Sequence, residues 1–386
     1  MAIVLFDTED RKKLYPFTYT RAVADIRLGI LTRKEYWEEI SRQKVYVATE
    51  SYLQPLYPAI PDGTHLFVNA MLLADHDLFK RVLLLPLNRG LVDQDEQLVA
   101  FHGSHDDFKK VKKEKTHSNT TQLNSVRKLQ KPWELFQLND EYIRLHFDVI
   151  SKHRKSAKVS KTNNIIGRKE NVFLEEGVTM ECATINATSG PVYIGKNATV
   201  MEGSLIRGPF AMLKGAVLKM GAKVYGATTL GPYCTGGGEI KNAILMGYSN
   251  KAHDGYLGDS VIGYWCNLGG GTTNSNIKNT AGTIEMWQMD SDKMIRVGMK
   301  GGVVIGDYTR TAINSNINTG SVFGVASNIF GTGFLPKKIP NFVWGDHKEN
   351  SYEYEKALQD INRWMALKGK KMTDAEASVL EHLHHL

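Results

Sequence analysis

Cysteine is nearly absent from this chain. The three present, Cys182, Cys234 and Cys266, make no paired framework and lack metal-finger spacing. That excludes a disulfide-held secreted scaffold, and a reducing cytoplasm is the expected setting. No apolar run reaches the 18 residues of a membrane-spanning helix, so no membrane partner is expected. The opening Met1-Ala2-Ile3-Val4-Leu5-Phe6 lacks the basic region and long apolar stretch of a secretory leader, and reads as a first strand. No glycine-rich turn follows it, which excludes a Rossmann-type dinucleotide loop. The aromatics form no base-stacking pattern, so nucleic acid is not expected either. The net charge of +7 then points to anionic metabolites.

What the chain does have is a strict period of six. Ile194, Val200, Ile206, Met212, Leu218, Val224 and Leu230 are apolar. Two places before each one after the first stand Ala198, Ser204, Phe210, Ala216, Ala222 and Thr228, small except for Phe210. Neither a helix nor a plain strand has this period. A triangular coil does: each side is a short strand plus a corner, with one apolar residue pointing inward. The spacing predicts a hexapeptide-repeat β-helix beginning near Ile165, with residues 183–191 breaking register. The rhythm returns at Ile262 and Leu268, and again at Ile305, Thr311, Ile317 and Phe323. Residues 276–298, with Trp287, form an excursion.

The first 150 residues read as an α/β domain with a mostly parallel sheet. Strands are expected at residues 2–6, 44–48, 66–69 and 82–85, with helical spacing over 22–40. Lys109 to Lys115 reads as a solvated basic face, and residues 132–147 as a short helix ending the domain against its sheet. After Pro336, helices are expected over 352–368 and from Thr373. The ending Leu380-Glu381-His382-Leu383-His384-His385-Leu386 resembles a corrupted purification tag. The expected layout is residues 1–150, a coil over 160–335 and a helical extension over 336–380.

One polar segment stands out: Ser249-Asn250-Lys251-Ala252-His253-Asp254-Gly255-Tyr256-Leu257-Gly258-Asp259. An imidazole at a coil corner is a candidate general base, because its ordinary pKa lies near neutrality. A structural histidine is the alternative.

Two resemblances sharpen this. Leu14-Tyr15-Pro16-Phe17-Thr18, followed by Arg21, resembles the latter half of the opening signature of sugar-phosphate nucleotidyltransferases. The family's glycine-rich phosphate loop is replaced by Asp7-Thr8-Glu9-Asp10-Arg11, and Asn69 falls where the family carries a metal-binding aspartate. Arg21, Arg27 and Lys12 are the residues left to hold a nucleotide phosphate, or else are surface and salt-bridge residues.

The second resemblance is to the acetyltransferase half of the bifunctional UDP-N-acetylglucosamine pyrophosphorylase/glucosamine-1-phosphate N-acetyltransferase family. It rests on Gly208-Pro209-Phe210-Ala211-Met212-Leu213-Lys214, on Glu239-Ile240-Lys241-Asn242-Ala243, on the histidine segment, and on Asn267-Leu268-Gly269-Gly270-Gly271-Thr272 followed by Asn276. The resemblance implies a left-handed parallel β-helix, a homotrimer and direct acetyl transfer from acetyl-CoA. It implies His253 as general base, with Asn276 at the acyl-transfer centre. Lys214, Lys241, Tyr256 and Asn267 would bind the sugar phosphate, and Gly270 and Thr272 would line the cofactor. Lys214 replaces an arginine and so lacks its planar fork. Met212 replaces another arginine, which leaves the identity of the amino sugar open.

Three functions stay open on the sequence. The first is acetyl-CoA-dependent N-acetylation of an amino-sugar 1-phosphate. The second is UTP- and Mg²⁺-dependent nucleotidyl transfer beside a structural coil. The third is a non-catalytic nucleotide-sugar-binding scaffold.

Overall fold

A computed structural model describes residues 2–73, 75–113, 119–347 and 349–386. It forms two compact units. One is Met1–Leu14, Thr20–Ile26 and Thr32–Gln130; the other is Tyr15–Tyr19, Arg27–Leu31 and Lys131–Leu386. By contact, the chain divides near residue 131 rather than 150.

The first unit carries a sheet of six strands in the order Val45–Ala48, Ile3–Phe6, Thr64–Asn69, Leu98–Ser104, Arg89–Val92, Thr120–Gln122. The first three run parallel, the next two pairings are antiparallel, and the last is parallel. Two sequence expectations fail here. Residues 82–85 close the helix His76–Leu83, whose first turn Asp75 caps by accepting the Leu78 N–H at 2.8 Å. The helix expected over 22–40 is confined to Arg33–Ser41. Gly29 upstream takes a left-handed φ of +70°, which no helix continues through. Thr32 and Glu35 then form a reciprocal capping box that starts the helix late. Part of the lysine run lies in the helix His105–Lys113; Glu114 and Lys115 lie outside the described residues.

The second unit is a parallel β-solenoid of the left-handed hexapeptide class. All seven residues of the period-six run are buried, none more than 2% exposed. Parallel register stacks them into inward rows. One runs Leu174, Ile194, Met212, Leu230, Leu245, Ile262. Another runs Ile165, Ile185, Ile206, Val224, Ile240, Leu257. Each buried aliphatic side chain contributes about 1.5–3 kcal/mol, so the rows are the main source of stability here. Thr184–Asn186 turns out to be a coil strand, so the break in register is confined to the long corner after it. Residues 276–298 leave as an excursion carrying the hairpin Ile284–Gln288 and Lys293–Gly298. Cys234 and Cys266 are buried, and burial pushes the Cys234 thiol up to about 11; Cys182 is exposed.

The helix expected over 132–147 forms as Glu134–Ser151, but it lies on the coil. Its Ile143, Phe147 and Ile150 pack with Phe173, Tyr193, Ala211 and Leu213. Asn139 hydrogen-bonds the Ala227 carbonyl and accepts the Gly29 N–H at 2.9 Å. The last helices are Tyr354–Ala366 and Asp374–His384, the latter started by a Thr373–Glu376 capping box. The apparent tag is therefore folded: Leu380 and Leu383 are 1% and 3% exposed, and the His384 ring meets Phe342 edge-on at 5.0 Å.

Candidate functional site

Four of the expected residues meet around one coil side and the corner before it. Tyr256–Tyr264 pairs with Glu239–Gly247 so that Tyr256 lies beside Glu239 and Gly258 beside Lys241. The Lys241 ammonium sits 5.5 Å above the Tyr225 ring, whose hydroxyl donates to Glu239. That hydrogen bond raises the Tyr225 pKa to about 12. Asn276, at the foot of the excursion, donates its amide to the Tyr256 hydroxyl at 3.0 Å and to Asp259 at 2.5 Å. Burial, then the Asp259 carboxylate, pushes the Tyr256 phenol well up, so it stays a protonated donor. The other Asp259 oxygen accepts from Asn242 at 2.7 Å.

His253 stands at the corner that enters this side. It is exposed, and among the described residues its ring has no hydrogen-bond partner. Glycines surround it. A Cβ on Gly270 would lie 3.6 Å from its Cγ, and one on Gly238 would lie 2.8 Å from its carbonyl oxygen. One turn on, Ile313 is 72% exposed. The corner thus joins an accessible imidazole to an uncrowded track with an apolar end.

Other expected residues are placed elsewhere. Thr272 is buried, and its hydroxyl lies against Thr311 and the Ala312 carbonyl, bracing the corner. Asn267 is on the preceding coil side, 3.4 Å from the Asn250 amide. Lys214 is exposed at another corner, after the strand Phe210–Met212. Within one chain neither joins the Lys241–Tyr256–Asn276 group. The sequence reading missed the Asp259 carboxylate that holds Asn242 and Asn276. The only signal for it was its position closing the polar segment.

Comparison with known proteins fits both halves. Residues 3–155 match the family model described as sugar nucleotidyl transferase. The bifunctional protein GlmU of Synechococcus elongatus is 26% identical over 208 residues, 52% of this chain and 38% of that protein. The GlmU of Methanococcus vannielii is 31% identical over 118 residues, 31% of this chain and 26% of that protein. The chain is thus similar to a sugar nucleotidyl transferase family over its first 155 residues and to GlmU proteins over part of its length. Its matches span well under half the length of these relatives. A solved polysialic acid acetyltransferase, NeuO, overlaps 48% of this chain and 79% of that one at 11% identity and a TM-score of 0.25, too weak to add anything.

The half of the chain that matches the nucleotidyl transferase family has its own cleft. A cavity of about 510 Å³ opens beyond the end of strand Ile3–Phe6. Glu9, Asp10, Glu50, Asp95 and Glu96 line it, against the single cation Lys112. Where a phosphate loop would stand, the chain forms the short helix Glu9–Leu14. Asp7 is buried there and accepts the Val23 N–H at 3.1 Å and the Thr49 hydroxyl at 2.6 Å, with the Arg11 guanidinium at 3.3 Å. Burial pushes its pKa up to about 6 against that guanidinium. The protein's own carboxylate therefore takes donors an anionic ligand would need.

The phosphate candidates fit poorly. Lys12 pairs with Glu9 at 2.6 Å, and Arg27 is buried with its guanidinium on the Ile30 and Met246 carbonyls. Arg21 is half-buried, and its carbonyl accepts from Arg11. Among the described residues no group of three His, Cys, Asp or Glu side chains is placed to hold a metal. Asn69, at the expected aspartate position, donates to the Leu98 carbonyl and accepts the Met71 N–H.

Proposed function

We propose that the coil catalyses acetyl-CoA-dependent N-acetylation of an amino-sugar 1-phosphate. The observation that carries this reading is the exposed His253 imidazole, set between glycine-lined corners on the corner that leads into the side carrying Lys241 and Tyr256. Acetyl-CoA would supply the acyl thioester, held along Gly270 and Ile313. His253 accepts the proton that the sugar amine sheds as its nitrogen bonds the acyl carbon; the C–S bond then breaks and CoA leaves as the thiol, its sulfur taking up that proton. Lys241 attracts the phosphate, Tyr256 donates to phosphate or hydroxyl, and Asn276 fixes the Tyr256 ring. We assign Lys214 and Asn267 to the site through a homotrimer, with a neighbouring copy bringing them to the acceptor. A cytoplasmic location suits these substrates.

The test is release of CoA thiol over a panel of amino-sugar 1-phosphates. His253→Ala should lower kcat by about 10²–10⁴-fold while the oligomer and its melting temperature are kept. Absence of thiol release with every acceptor overturns the reading.

A second reading, nucleotidyl transfer by the first unit, is favoured by the family match over residues 3–155. The acidic cleft and the Asp7–Arg11 pair count against it. Pyrophosphate release from UTP and a sugar 1-phosphate would support it.

A further inference from the structure

An inward row of the coil contains one residue the core does not call for. Val200, Leu218, Gly236 and Lys251 stack in register, and Leu268 continues the row. Gly236 faces the interior: a Cβ there would lie 2.9 Å from Leu230 and 3.2 Å from Ile240. Its neighbours in the core thus close over the glycine, and one turn on in the same row stands Lys251, only 2% exposed. Its ammonium makes no ion pair among the described residues. It donates to two carbonyls, Gly237 at 3.1 Å and His253 at 2.5 Å. A methionine or leucine would fill the same space without desolvating a charge. The lysine therefore does something that packing alone does not require.

The two carbonyls identify what that is. Gly237 lies in the corner one turn below, and His253 carries the candidate base. We propose that Lys251 is a positioning residue, tying the backbone of the His253 corner to the corner beneath it from inside the coil. This rests on the acyl-transfer reading for its catalytic consequence, but the tie itself does not. Gly270 lies beside the ring on the next turn and offers it no side chain, and the ring has no hydrogen-bond partner among the described residues. The backbone is then what aims the imidazole. The same burial that hides the ammonium lowers its pKa to about 8, so the tie is weakest in alkali.

The experiment uses the full chain with Lys251→Met and Lys251→Gln, the second keeping a neutral donor. Amide hydrogen exchange is followed over residues 237–238 and 252–255, with the distant corner at 201–204 as control. Lys251→Met should speed exchange at the first two corners by at least about tenfold and leave the control unchanged, without lowering the melting temperature. In thiol-release assays its kcat should fall on the order of 100-fold at constant KM for acyl donor and acceptor, the size expected for a misplaced reacting group. Lys251→Gln should recover part of both. Unchanged exchange, or a fall in melting temperature with loss spread evenly over all corners, overturns the tie. Should the parent chain release no thiol, the acyl-transfer reading fails while the exchange result still decides the tie.

Discussion

Asn276 and Tyr256, twenty positions apart, meet through an amide-to-phenol hydrogen bond of 3.0 Å. The same amide nitrogen reaches the Asp259 carboxylate, so three residues of one coil side hold each other before any ligand arrives. Such pre-arrangement lowers the ordering cost of binding.

Asn276→Ala breaks this set. It frees the Tyr256 ring and strips one partner from the 3%-exposed Asp259. Stability should fall by about 1–3 kcal/mol. KM for the acceptor should rise roughly tenfold, about 1.4 kcal/mol of binding, while KM for acetyl-CoA stays put. Thermal melts and steady-state kinetics with each substrate varied would check both.

Two glycines around His253 should respond in opposite ways. Gly255 has φ +116°, and a Cβ there would lie 2.2 Å from the Thr272 carbonyl oxygen. Gly255→Ala should therefore destabilise the corner by at least about 1–3 kcal/mol. Gly270→Ala meets only an ordinary 3.6 Å contact with the His253 ring. It should melt like the parent chain and show its effect in KM for acetyl-CoA. Calorimetry beside kinetics separates the two.

Asp7 gives a pH dependence whose sign follows from its pKa. The folded value near 6 is above the ordinary 3.8, so folding favours the protonated carboxyl. Its contribution is complete below pH 3.8 and is lost as pH rises through 6. Asp7→Asn should abolish that share of the slope between pH 4 and 7. It also leaves the buried Arg11 without its counter-charge, so the variant should be about 3–5 kcal/mol less stable at pH 7. Melting temperatures of both proteins across this range test the two effects together.

The coil was legible because its period is short and each inward residue has the same job; Ile194 through Leu230 announced both rows and sides. The α/β unit was harder. Phe79 and Val82 suit either a strand or a helix, and what decides is the Asp75 cap. The helix Glu134–Ser151 has an apolar face that local pattern cannot assign to a sheet or a coil, and its partners Phe173 and Tyr193 are far along the chain. At the site, motif resemblance singles out His253, Lys241, Tyr256 and Asn276, and the structure joins Tyr256 to Asn276 directly. Nothing local in the sequence shows that Thr272 is buried, because only the coil register sets its hydroxyl against Thr311 and the Ala312 carbonyl. Lys251 reads as surface until the register places it in an inward row.

Two of the last seven residues should behave as core. Deleting residues 380–386 removes Leu380 and Leu383, each worth about 1.5–3 kcal/mol when fully buried. The truncated chain should lose several degrees in melting temperature. An unchanged melt would show that this end is dispensable.

The excursion over residues 276–298 leaves and rejoins the coil at neighbouring points: the Gly301 N–H donates to the Asn276 carbonyl at 3.0 Å, and Gly302 to that of Asp259 at 2.8 Å. Its two feet are tied together, so the hairpin between them acts as a cassette. Its inner strand belongs to the packing, since Ile284 and Met286 are fully buried. Its outer strand, Lys293–Gly298, is exposed or half-buried throughout, so that edge can change in sequence while the rows beneath keep their register.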